Sequence, residues 1–98
     1  MRWPYPRTPS IGRDLPSNYD EGERAFDERV RARFPIGTSE ACLVKELRSQ
    51  GFSIVFSPKM ADATITRGLI MKTIWSVRWR AREDRLEEVW GVYGAIAP

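Results

Sequence analysis

Arg78, Arg80 and Arg82 stand at alternate positions in the run 69–82, and they are the residues of this chain best suited to recognition chemistry. Period-two spacing puts side chains on one face of a strand. Ile70, Lys72 and Ile74 share that parity, and Tyr93 is expected to join the same face from the following strand. A guanidinium presents a planar fork of donors that matches carboxylate and phosphate oxygens, and it stacks on aromatic rings. The set Arg78, Arg80, Arg82, Lys72 and Tyr93 therefore reads as a binding face for another protein, where Arg and Tyr are frequent anchors. The same face suits a phosphate backbone or single-stranded bases. A third reading is a solvated face neutralised by cross-strand glutamates.

The remaining inventory argues against catalysis. The chain has 98 residues, no histidine and one cysteine, Cys42. Serine–histidine and cysteine–histidine nucleophiles need an imidazole. One thiol cannot build a zinc cage or an internal disulfide. Carboxylate pairs occur at Glu21/Glu23, Asp27/Glu28, Glu83/Asp84 and Glu87/Glu88. They lie in charge-rich stretches, where helix capping and solvated turns account for them, whereas acid–base work needs a dry cleft. Asp62 could join other acids around a cation, but no EF-hand spacing is present. Gly91-Val-Tyr-Gly94 lacks the lysine and the following helix of a phosphate loop. No cofactor is expected.

The elements that must position the arginines follow from periodicity. Residues 1–18 form a proline-rich arm with Pro4, Pro6, Pro9 and Pro16. Its apolar Trp3, Tyr5, Ile11 and Leu15 suggest that part of it packs on the domain or meets a partner, with Trp3 and Tyr5 as candidate contacts. Residues 19–98 read as a single α+β domain. A first helix is expected from Asn18 or Asp20 to Phe34, with Phe26, Val30 and Phe34 as its apolar stripe and Pro35 as its stop. A second begins after Gly37, capped by Thr38 or Ser39, and buries Leu43, Val44 and Leu47. Gly51 and Phe52 fit the end of that helix as a Schellman pair. Cys42 beside the stripe reads as a small buried hydrophobe.

Beyond Gly51 the period becomes two. Phe52–Phe56 is expected as a strand, 57–62 as a loop around Pro58, and 63–66 as a further strand, with Gly68 as a bend or bulge. The strand 69–82 places Trp75, Val77 and Trp79 on a buried face and the arginines on a wetter one. A turn at Glu83-Asp84 leads into a closing strand, 86–96. A regular two-residue hairpin would set Leu86, Trp90 and Val92 with the buried tryptophans, and Glu87, Val89 and Tyr93 with the arginines, Arg80 facing Glu87. Trp90 and Val92 then belong to the expected core. The fold class is α+β, two N-terminal helices packed on a three- to four-stranded antiparallel sheet.

Several short marks occur in this order: Phe34-Pro-Ile-Gly-Thr-Ser39, Leu43 with Leu47, Gly51-Phe52, Trp75-Ser-Val-Arg-Trp79, and Leu86-Glu-Glu-Val89 running to Gly91-Val-Tyr93. Over residues 33–93 the chain resembles the SmpA/OmlA lipoprotein family and the wider β-lactamase-inhibitor-protein-like fold. The resemblance implies a two-layer domain that binds other proteins through its sheet or loops, without catalysis.

Charge sharpens the expected partner. Lys and Arg total 16 and Asp and Glu 13, a formal net charge of +3, and thirteen of the basic residues are arginine. That balance favours a partner with acidic character, another protein first and nucleic acid second. A homodimer paired through a strand edge or the tryptophan-rich sheet is a further expectation. No apolar run is long enough to span a bilayer. Residues 1–11 carry Arg2, Arg7 and three prolines without an apolar stretch, so the chain as written reads as cytoplasmic, or as periplasmic if a leader has been removed.

Overall fold

In the computed structural model, residues 8–67 and 71–96 are described. The element order is a short 3-10 turn at Ser10–Gly12, α1 (Tyr19–Arg33), α2 (Glu40–Ser49), β1 (Ser53–Phe56), β2 (Lys59–Arg67), β3 (Met71–Arg82) and β4 (Arg85–Ile96). The strands form one antiparallel sheet in sequence order, β1-β2-β3-β4. This is the α+β class expected from the sequence. Trp3, Tyr5, Gly68 and Ile70 lie outside the described residues.

Both helices carry their own boundary signals. The Asn18 side chain accepts hydrogen bonds from the Asp20 and Glu21 amides at 2.9 and 3.2 Å and so starts α1. Ser39 caps α2 by accepting from the Cys42 amide. At the other end of α2, the Phe52 amide donates to Leu47 and the Gly51 amide to Arg48, the two bonds of a Schellman motif. Gly51 supplies the left-handed backbone this requires, at φ 94°. Cys42 is a correction: it is exposed. Leu43, Val44 and Leu47 fill the inward stripe of this short helix, and Cys42 is turned away from it.

The helices pack on the sheet face that bears Trp75, Val77 and Trp79. Phe26, Val30, Leu43, Leu47 and Val77 are fully buried there, with Phe34, Leu86 and Val89 nearly so. Ile11 and Leu15 close one end of this core. The Ile11 amide donates to Gln50 Oε1 at 2.9 Å, and the Arg29 guanidinium donates to the carbonyls of Ile11, Arg13 and Asp14. So the segment around Ile11 is held against the domain by a side chain of α1 and by the C-cap residue of α2.

Two expectations about the sheet are overturned. The stretch 57–62 is not a loop: only Ser57 and Pro58 turn, and β2 begins at Lys59 and pairs with β1 at once. Ala61, wholly buried, gives little strand signal by itself, and its place is set by pairing and packing rather than propensity. The second correction concerns the β3–β4 hairpin. Arg82 faces Arg85 and Ala81 faces Leu86, but Arg80 faces Glu88, so Glu87 is the extra residue of a β-bulge. From there on, every β4 side chain lies on the face opposite to that expected. Val89 and Tyr93 join the inner face, while Trp90 and Val92 leave the core for the outer face, both partly exposed. Among the described residues no helix is long and apolar enough to cross a membrane.

Candidate protein-binding face

The outer face of the sheet is assembled by register. Met60 pairs with Arg78, Asp62 with Ser76 and Thr64 with Ile74 across β2–β3, and Arg78 pairs with Trp90 and Ser76 with Val92 across β3–β4. Both helices lie on the other side, so no described helix covers this face. It carries a half-buried apolar strip of Met60, Ile74, Trp90 and Val92 with the basic side chains of β3 set into it.

Two depressions mark the face. One, of about 510 Å³, is lined on this face by Met60, Trp90, Arg78, Arg80 and Glu87, and reaches Phe56 at the end of β1 and Pro58 of the β1–β2 turn. The other, of about 310 Å³, lies around Ser76 and is lined by Asp62, Thr64, Ile74 and Val92. Arg78 borders both. Ser76, only 1% exposed, accepts a hydrogen bond from Arg78 Nε at 3.4 Å. That bond draws the guanidinium along β3 toward Ser76 and leaves its other donors without a partner among the described residues.

The sequence-derived set separates into distinct roles. Arg78 is exposed and has no carboxylate partner among the described residues. Arg80 is paired with Glu88, Nε to Oε1 at 2.9 Å, rather than with Glu87. Both members are largely exposed, so the pair contributes little energy and mainly occupies the charge. Arg82 stands at the hairpin end opposite Arg85, exposed and without a carboxylate partner among the described residues. Lys72 is exposed at the far end of β3. Tyr93 is a correction: it lies on the inner face, with ring centroids 5.4 Å from Tyr19, 6.5 Å from Phe26 and 5.9 Å from Trp75. The bulge at Glu87 is the physical reason.

Sequence reading missed Met60, Val55, Trp90 and Val92 as parts of this face. A signal for the last two was present. Leu86 and Val89 are apolar with two glutamates between them, a spacing of three that strict alternation cannot bury on one face. One inserted residue reconciles them.

The charges beneath the face hold the scaffold together. Glu40, at the start of α2, accepts from Lys59 Nζ and from Trp79 Nε1, each at 2.7 Å. Burial pushes the Glu40 carboxyl up, but the hydrogen bonds from Lys59 and Trp79 and the charge of Lys59 outweigh it, leaving the group below its ordinary 4.5. Lys59 is thus engaged on the inner side. At the hairpin tip, Asp84 accepts from the Ser39 hydroxyl at 2.6 Å and the Ala41 amide at 3.0 Å. These bonds hold its carboxyl below its ordinary 3.8. Among the described residues no group of three or more Cys, Asp or Glu side chains gathers as a metal site. Comparison with family models, curated proteins and solved structures found no match to this chain.

Proposed function

We propose that this chain is a small non-enzymatic protein-binding domain, an inhibitor, adaptor or assembly factor, that engages a partner through the outer face of its sheet. The observation that carries the reading is the placement of Arg78: an arginine without a carboxylate partner among the described residues, set between Met60 and Trp90 in a half-buried strip with Ile74 and Val92 and bordering both depressions. Interface centres commonly combine arginine and aromatic anchors with desolvated apolar surroundings. Arg82 and Lys72 extend the basic character along β3 and favour a partner with acidic groups. The order of two helices followed by a meander supports kinship with the SmpA/OmlA family and the β-lactamase-inhibitor-protein-like fold.

The test is affinity capture with the wild-type chain beside Arg78→Glu and Trp90→Ala, each first shown to melt like the wild type. A partner retained by the wild type and lost from both variants supports the reading. Equal retention by both variants rejects it. The second reading, nucleic acid held by Arg78, Arg82 and Lys72, predicts a gel shift at low salt whose affinity falls steeply as salt rises.

A further inference from the structure

We infer that the sheet edge at β1 is a strand-addition site for an extended acidic segment of a partner protein. This rests on the reading of the chain as a protein-binding domain, and it adds the edge of the sheet to the outer face as a point of attachment.

The two edges of the sheet are treated differently. Along β4, Asp27 and Glu23 of α1 accept hydrogen bonds from the outward amides of Gly91 and Tyr93, at 2.8 and 3.4 Å. That edge is occupied over Gly91–Tyr93. Along β1, the antiparallel ladder leaves every second residue with its N–H and C=O turned away from β2. Among the described residues, nothing but β2 hydrogen-bonds to Ser53–Phe56. Such an edge is a template for another strand. β1 is short, four residues, but carries no chemical guard: its sequence, Ser-Ile-Val-Phe, has no charge and no proline. Val55 and Phe56 are 43% and 53% exposed on its two faces.

The surroundings specify the occupant. Phe56 is the shared wall of two grooves, the outer one of about 510 Å³ and one of about 440 Å³ between β1 and α2. A strand laid beside β1 would send alternate side chains into each, the arrangement by which strand addition gains specificity. The α2 groove carries Lys45 and Arg48, exposed and without carboxylate partners among the described residues. Its two acids are already engaged, Glu40 by Lys59 and Trp79, and Asp84 by Ser39 and Ala41. The outer groove offers Met60 and Trp90 with Arg78 at the rim. An extended segment with acidic residues toward α2 and apolar residues toward the outer face matches both sides.

The experiment titrates the full chain with a synthetic peptide of alternating glutamate and leucine, followed by amide chemical shifts. The expected result is perturbation at Ser53–Phe56, Lys45 and Arg48. Affinity should fall about tenfold or more when alternate peptide nitrogens are methylated, because main-chain bonding carries strand addition. It should fall similarly in a Lys45→Glu, Arg48→Glu double variant. Undiminished binding of the methylated peptide overturns the proposal, as does absence of binding at millimolar peptide. Shifts confined to Arg78 and Trp90 overturn it while leaving the outer-face reading in place. A concentration-dependent dimer through β1, seen by light scattering, assigns the edge to a second copy and also overturns it. Failure of the outer-face reading shows instead as undiminished capture by Arg78→Glu and Trp90→Ala, which line the outer groove but leave Ser53–Phe56, Lys45 and Arg48 intact.

Discussion

The Asp27 carboxylate accepts the amide hydrogen of Gly91 at 2.8 Å, although 64 residues separate them. Glu23, one helical turn earlier, reaches the Tyr93 amide. Four residues of helix advance ~6 Å, and two residues of strand ~6.6–6.8 Å. That near match lets a helix lying along an edge strand supply one carboxylate for each outward amide. The acidic run that reads locally as helix-dipole chemistry also seals a sheet edge.

Asp27→Ala should therefore destabilise the fold by about 1–2 kcal/mol, from loss of a charge-assisted bond that is only partly screened by solvent. Arg31→Ala removes the exposed ion-pair partner of Asp27 and should cost no more than ~0.5 kcal/mol. Urea denaturation of the two variants separates the contributions: equal losses would place the energy in the ion pair. A Glu23→Ala, Asp27→Ala chain, with both outward amides uncovered, should self-associate with rising concentration in light scattering.

The same contact explains glycine at position 91. A Cβ there would stand 2.8 Å from Phe26 Cδ2 and 3.0 Å from Val30 Cγ2, both on a helix packed against the strand. Gly91→Ala should cost about 1–3 kcal/mol as an overpacked core. Thermal melting should show the loss, and adding Phe26→Leu should recover part of it. A Gly91→Ala chain with unchanged melting would mean that α1 sits further from β4.

Much of this fold was legible because its signals are local. Asn18, Ser39, Gly51 and Pro35 mark helix ends within a residue or two, and the alternation around Trp75, Val77 and Trp79 gives the inner face of β3 directly. The illegible parts depend on partners distant in sequence. A single inserted residue, Glu87, reverses the facing of all that follows, moving Tyr93 inward and Trp90 outward. Arg78 and Arg80 were recognisable as a pair on one face, but only the register shows that Glu88 neutralises the latter and leaves the former to Ser76. The early start of β2 was hidden for the same reason, since Ala61 is recruited by pairing rather than by propensity.

Acid should loosen the seam between α2 and the sheet. Glu40 and Asp84 both titrate below their ordinary values of 4.5 and 3.8 in the folded chain. A depressed carboxyl binds its proton less tightly when folded, so the unfolded chain takes up more protons as pH drops. The contribution is whole above those ordinary values and is lost as pH falls below them through the folded ones. The urea midpoint should accordingly be flat near neutrality from these two groups and decline on the acid side of about pH 4.5. Glu40→Gln should lower the plateau and flatten part of the decline. A decline of unaltered shape in both Glu40→Gln and Asp84→Asn would move the acid sensitivity elsewhere.

The hairpin tip offers a contrast between neighbours with the same backbone problem. Glu83 and Asp84 both hold left-handed φ values, 51° and 64°, as a two-residue turn between β3 and β4 requires. Such a conformation costs a residue with a Cβ about 1–2 kcal/mol, and asparagine tolerates it better than glutamate. The Glu83 side chain has no partner among the described residues, whereas Asp84 binds Ser39 and Ala41 through its carboxylate and the Glu40 amide through its carbonyl. Glu83→Asn should consequently stabilise the chain by up to ~1 kcal/mol, or several degrees in Tm. Asp84→Gly relaxes the same kind of strain but removes the side-chain cap from α2, and it should lower Tm. If both substitutions raised Tm alike, backbone strain would dominate and the bridge from hairpin to helix would hold nothing. Opposite signs would identify Asp84 as the residue that ties the first helical turn of α2 to the end of the sheet.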